Sequence, residues 1–86
     1  MKNPILSICI PTYNRAEFAY AAAKHLLENW EGEEIEVVIS DNHSDDNTQE
    51  LIGSITDKRL KYFRNDENLG AAFNTHLTFL RASGEY

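Results

Sequence analysis

Two short β-branched apolar runs, each followed at once by a polar loop cluster, most constrain what this chain can fold into. Ile5-Leu6-Ser7-Ile8-Cys9-Ile10 leads into Pro11-Thr12-Tyr13-Asn14-Arg15, and Ile35-Glu36-Val37-Val38-Ile39-Ser40 leads into Asp41-Asn42-His43-Ser44-Asp45-Asp46. A strand with one wet face alternates apolar and polar residues. A strand covered on both faces does not, and such strands belong to parallel sheets flanked by helices. In open sheets of that kind, ligands sit just past the carboxyl ends of the strands. Here those ends carry an aromatic ring, an arginine and a carboxylate, the groups a nucleotide base and its phosphates require.

The intervening segments complete the pattern. The first strand is expected over Ile5 to Ile10, ended by Pro11, which cannot donate to a ladder. Asn14 then caps a helix running to about Trp30, with Glu17 three positions on as the return partner. Ala19, Ala22, Ala23, Leu26, Leu27 and Trp30 form its apolar stripe, and Gly32 marks the exit. After the second strand, Asp45 or Asp46 starts a short helix over roughly Thr48 to Ile55. Leu60-Lys61-Tyr62-Phe63-Arg64 reads as a third strand at a sheet edge, where lysine discourages further pairing. A last helix spans about Leu69 to Ala82, with Phe73, Leu77 and Leu80 as its core-facing stripe and Gly84 just past its end. Another strand is expected to begin at Gly84-Glu85-Tyr86. The order βαβαβα with right-handed crossovers predicts an α/β fold: a three-layer αβα arrangement around a Rossmann-like parallel sheet of about three strands.

Length and charge narrow the function. With 86 residues the chain is at most one domain. A net charge of −6 argues against nucleic acid as a partner, because backbone binding relies on clustered Lys and Arg. No apolar run approaches the ~20 residues that span a bilayer. Met1-Lys2-Asn3-Pro4 lacks the pattern of a secretory signal, and the single Cys9 can form no internal disulfide, so a cytoplasmic location is expected.

Each candidate residue has a structural reading beside the functional one. Tyr13 can stack on a base or pack on the next helix. Asn14 is explained by capping alone. Arg15 can pair with a phosphate near a helix N-terminus, or stand solvated in a first turn that mildly disfavours a cation. Asp41 can accept the ring N–H of uracil or thymine, or close the Asp41–Ser44 loop as an Asx-turn. Asn68 and Asn74 offer amide contacts, and Gly70 permits close backbone approach, although no Walker or dinucleotide fingerprint is present. No nucleophile is paired with a base, no Cys/His spacing suggests zinc, and no complete catalytic site is visible.

These clusters together resemble the amino-terminal part of family 2 glycosyltransferases with the GT-A fold. The resemblance is carried by Ser7 to Arg15, by Val37 to Asp46, by Asn68-Leu69-Gly70 with Asn74, and by Gly84-Glu85-Tyr86. It implies binding of a nucleotide-diphosphate sugar, with a UDP-sugar as the leading expectation, and Mg²⁺ or Mn²⁺ in the parent enzyme. By analogy Pro11, Thr12 and Tyr13 line the base pocket, Asp41 binds the base, and Arg15 and Asn68 to Gly70 lie towards ribose or phosphates. Asn14 and Asn42 complete the expected nucleotide-binding set. Ser40 stands where many relatives have a second acid. The family's metal-binding motif and catalytic base lie beyond the Gly-Glu-Tyr segment, so residues 1–86 are expected to form an N-terminal nucleotide-binding part of a longer inverting transferase. That parent would act on a glycan or glycoconjugate hydroxyl, in the cytoplasm or at a membrane; the chain alone would transfer nothing. The alternatives are a stand-alone nucleotide-binding module, or an inactive αβ piece that forms homo-oligomers through an open sheet edge.

Overall fold

The computed structural model describes residues 6–84. Expectations that fall on Ile5, Glu85 and Tyr86 lie outside the described residues. Six elements follow in order: β1 (Leu6–Thr12), α1 (Ala16–Asn29), β2 (Ile35–Asp41), α2 (Thr48–Gly53), β3 (Leu60–Arg64) and α3 (Ala71–Arg81). The strands form one parallel sheet in the order β1-β2-β3. Thr12, Asp41 and Arg64 stand side by side in register, so the carboxyl ends of all three strands share one rim.

β2 is buried at every one of its positions, as its unbroken apolar run requires. Val37 and Ile39 face one side of the sheet, where they pack with Ala19, Ala23 and Leu27 of α1 and Ile52 of α2. The alanines let α1 approach closely, while Leu27 and Ile52 contribute ~1.5–3 kcal/mol each by leaving water. α1 ends at Asn29, and Trp30 is left 39% exposed instead of closing the stripe. The last carbonyls of that helix are satisfied from elsewhere. The Arg59 guanidinium donates to Leu27 O at 2.7 Å and to Trp30 O at 2.6 Å, and Asp57 holds it in place at 2.7 Å.

α3 covers β1 and β2 on the other side of the sheet, which makes three layers. Its inward face corrects the sequence reading. Asn74 and Thr78 are the buried residues, whereas Phe73 is 51% and Leu80 66% exposed and Leu77 only half-buried. The reason lies in β2, which offers α3 a polar surface. Ser40 Oγ donates to Asn74 Oδ1 at 2.8 Å, and Asn74 Nδ2 donates to Ser40 O at 2.9 Å. A helix that must satisfy buried polar groups turns amides inward whatever its apolar period. Beyond α3, Ser83 N donates to the buried Glu36 carboxylate at 3.0 Å and Gly84 N to Ser7 Oγ at 2.7 Å. Gly84 lies so close to β1 that an added Cβ would sit 2.9 Å from Ser7 N.

β1 continues through Pro11 to Thr12, two residues past the expected end. Leu6 N and Thr12 O both bond towards β2, so even-numbered residues of this strand address their partner. The missing N–H of Pro11 therefore falls on the side away from β2 and costs this ladder nothing.

Candidate functional site

Three side chains fix the loops at the carboxyl rim. Asn14, expected as a helix cap, instead adopts φ 51, a left-handed conformation that asparagine tolerates; Arg15 occupies the cap position without a side-chain bond. Asn14 N donates to Ser44 Oγ at 2.9 Å, and its Oδ1 accepts Asp45 N at 2.7 Å. Asp46 serves two helices at once. Its Oδ2 accepts Ala16 N of α1 at 3.2 Å and its Oδ1 accepts Thr48 N of α2 at 3.0 Å. Bonding by the Thr48 hydroxyl, then by these amides, holds the Asp46 carboxyl below its ordinary value.

Asp41 is fully buried beneath these loops. Its Oδ1 accepts Ser44 N at 2.9 Å and Ser44 Oγ at 2.6 Å, and its Oδ2 accepts the Tyr62 hydroxyl at 2.5 Å. Arg64 Nε stands 4.0 Å from Oδ2. Burial, and then the bond to Asp41, pushes the Tyr62 phenol well above its ordinary value.

A cleft of about 550 Å³ opens above the ends of β1 and β2. Its walls are the first turns of α1 and α3, and Pro11, Thr12, Tyr13, Arg15, Asn42, Asn68 and Gly70 all line it. The structure thus brings these sequence-predicted residues together, and Tyr13 is 41% exposed there. Asn14 and Asp41 do not line it. The two are bound up in the loop framework, and the loop after β2 contributes Asn42 to the lining. Phe18, Ala71, Asn74 and Thr75 complete the lining. Phe18 was legible only as one more apolar residue on a helix, whereas Asn74 was already conspicuous as an amide within an apolar segment.

The Asn42 amide is held in one orientation. Its Oδ1 accepts Asn65 Nδ2 at 3.0 Å and Leu69 N at 2.9 Å, and its Nδ2 donates to Asn68 Oδ1 at 2.8 Å. Both acceptor positions are used, and the second N–H takes no part in these bonds. Below it, Asn65 Nδ2 also reaches Asn74 Oδ1 at 3.0 Å, and Arg81 Nη1 donates to Ser40 Oγ at 2.6 Å. Among the described residues Asn65 Oδ1 is the buried side-chain atom left without a partner. Asn68 Oδ1 also accepts Gly70 N at 2.8 Å. Gly70 sits at φ 90, where a side chain would be strained, and no side chain caps α3. The first-turn amides of α3 thus stand beside the cleft, an arrangement that favours anions.

Among the described residues no three His, Cys, Asp or Glu side chains gather as a metal site. The residues present do not fit a divalent cation, although the sequence resemblance implies one for the parent enzyme. No described helix is long and apolar enough to cross a membrane.

Fold and rim together define a parallel α/β protein with a polar, aromatic-edged cleft at its strand ends. Residues 7–86 match the glycosyl transferase family 2, and the chain belongs to that family. It is 33% identical over 86 residues to the GalNAc(5)-diNAcBac-PP-undecaprenol beta-1,3-glucosyltransferase of Campylobacter jejuni, with 96% of this chain and 28% of that protein covered. It is 37% identical over 90 residues to the abequosyltransferase of Salmonella typhimurium, covering 95% of this chain and 26% of that one. Among solved structures it superposes with a TM-score of 0.80 on a mannosyltransferase from Pyrobaculum calidifontis in complex with GDP-Man and Mn²⁺. That match covers 99% of this chain and 26% of the other at 24% identity, a likeness of fold, here part of the GT-A fold. The chain spans under a third of the length of the glucosyltransferase and of the abequosyltransferase.

Proposed function

We propose that this chain supplies the nucleotide-binding part of an enzyme that transfers a sugar from a nucleoside-diphosphate sugar to a hydroxyl of a glycan or glycoconjugate. The observation that carries the reading is the convergence of Tyr13, Arg15, Asn42 and the uncapped start of α3 on one cleft at the strand ends. Tyr13 stacks on the base. The remaining N–H of Asn42 donates to an acceptor atom on the base edge. Arg15 and the first-turn amides of α3 take the diphosphate.

The transfer itself is inverting, with a general base outside these residues deprotonating the acceptor. The Pyrobaculum enzyme holds Mn²⁺, and none of the residues described here is assigned to a metal. By itself the chain transfers no sugar. It binds and orients the donor: the ring fixes the base, the amide fixes its edge, and the arginine fixes the phosphates. GDP-Man in the Pyrobaculum enzyme and the sugar-transferase names of the relatives support a nucleotide-sugar donor, without choosing the nucleoside.

Amide chemical shifts during titration with uridine, cytidine and guanosine diphosphates test this reading. Saturable changes clustered at residues 13–15, 42 and 68–71 are expected for at least one of the three. Changes scattered elsewhere, or none with any of them, would overturn it. Concentration-dependent dimers without nucleotide affinity would favour association through the β1 edge instead.

A further inference from the structure

Phe18 is a large apolar side chain that the fold leaves unused. It lies on α1, next to the buried Ala19 and two residues after the buried Ala16, yet is itself 66% exposed. Burying a ring of this size is worth ~1.5–3 kcal/mol, and this sheet offers it no place. Its position sets it apart from the other exposed phenylalanines. Phe63, Phe73 and Phe79 do not line the cleft, whereas Phe18 does, on the same wall as Arg15 and alongside Tyr13. The opposite wall is made of small or polar groups: Gly70, Ala71, Asn74 and Thr75. The two aromatic residues of the lining therefore come from the end of β1 and the start of α1, and the α3 segment contributes none.

We infer that Phe18 is a second aromatic contact for the heterocycle of the bound nucleotide, acting with Tyr13. A phenyl ring has no donor or acceptor, so it recognises the face of a base and is indifferent to its edge. The division of labour follows. Asn42 reads edge chemistry, Tyr13 and Phe18 supply the stacking surface, and Arg15 holds the phosphates. This inference rests on the nucleotide-binding reading above and adds a residue that the sequence did not single out.

The test compares Phe18→Ala, Phe18→Leu and Phe18→Tyr with the unsubstituted protein, using as probes a nucleoside diphosphate that binds and inorganic pyrophosphate. Because Phe18 packs against nothing in the core, all three variants are expected to keep the thermal stability of the parent. Phe18→Ala should weaken nucleoside diphosphate binding about tenfold, the low end for one base–aromatic contact. Phe18→Tyr should retain affinity and Phe18→Leu should fall between. Pyrophosphate binding should be unchanged in all. Unchanged nucleoside diphosphate affinity in Phe18→Ala overturns this inference alone, as does an equal loss for both probes. Absence of nucleotide binding by the unsubstituted protein overturns the underlying reading, and this contact with it.

Discussion

The Tyr62 hydroxyl donates to Asp41 Oδ2 at 2.5 Å across the neighbouring strands β2 and β3. Together with Ser44 on the other oxygen, this bond turns the acid at the end of β2 into a buried fastener of the rim. The polar group that the same loop offers to the cleft is the amide next in sequence, Asn42.

Tyr62→Phe removes that donor and leaves Asp41 Oδ2 with Arg64 Nε at 4.0 Å as its nearest partner. A buried acceptor stripped of its bond costs about 1–3 kcal/mol. Denaturant unfolding should show a loss of that size, with an unchanged m-value.

The same pair sets an alkaline limit. The folded state favours the neutral phenol, so its pKa is raised above the unfolded value of about 10. The stabilising contribution is whole below that pH and is lost as pH rises towards the folded value. The stability difference between the unsubstituted protein and Tyr62→Phe should therefore stay constant up to about pH 10 and shrink above it. A difference that grows with pH would contradict the assignment.

Asp46 bonds to the first turns of both α1 and α2. Asp46→Ala should cost about 1–2 kcal/mol, as loss of a helix cap does. The folded-state pKa of Asp46 is lowered, so its contribution is present above the unfolded value and disappears as pH falls through the folded one. Unfolding curves for the two proteins should converge in acid, below about pH 4.

Arg15 lines the cleft and makes no salt bridge among the described residues. Arg15→Ala should weaken a nucleoside diphosphate by about tenfold or more, the worth of a hydrogen bond to a charged group. The free nucleoside should be barely affected. Added salt should narrow the gap between the two proteins, because the contact is ionic and exposed.

Much of this was written locally in the chain. β3 runs from Leu60 to Arg64 as its pattern predicts, and α1 starts at Ala16 because the polar loop before it cannot continue the strand. Pro11, Thr12, Tyr13, Arg15 and Asn42 meet at the cleft because they lie at or just past the ends of β1 and β2, whereas Asn68 and Gly70 are held there by bonds that run through Asn42 and Asn68. What could not be read were partnerships across the sequence. Asp41 depends on Tyr62, 21 positions away, and no local pattern announces that bond. The inward turn of Asn74 depends on Ser40, 34 positions away, and it overrode an apolar stripe that pointed Phe73 and Leu80 to the core. Asn14 has the composition of a cap, yet it is drawn to Asp45 by the loop opposite.

Calorimetric titration of uridine, cytidine and guanosine diphosphates into the protein and its Tyr13→Ala variant tests the central claim most directly. The account predicts one saturable site for at least one of these ligands, weakened about tenfold or more by the substitution. Binding that Tyr13→Ala leaves untouched, or no saturable heat with any of the three, would contradict it.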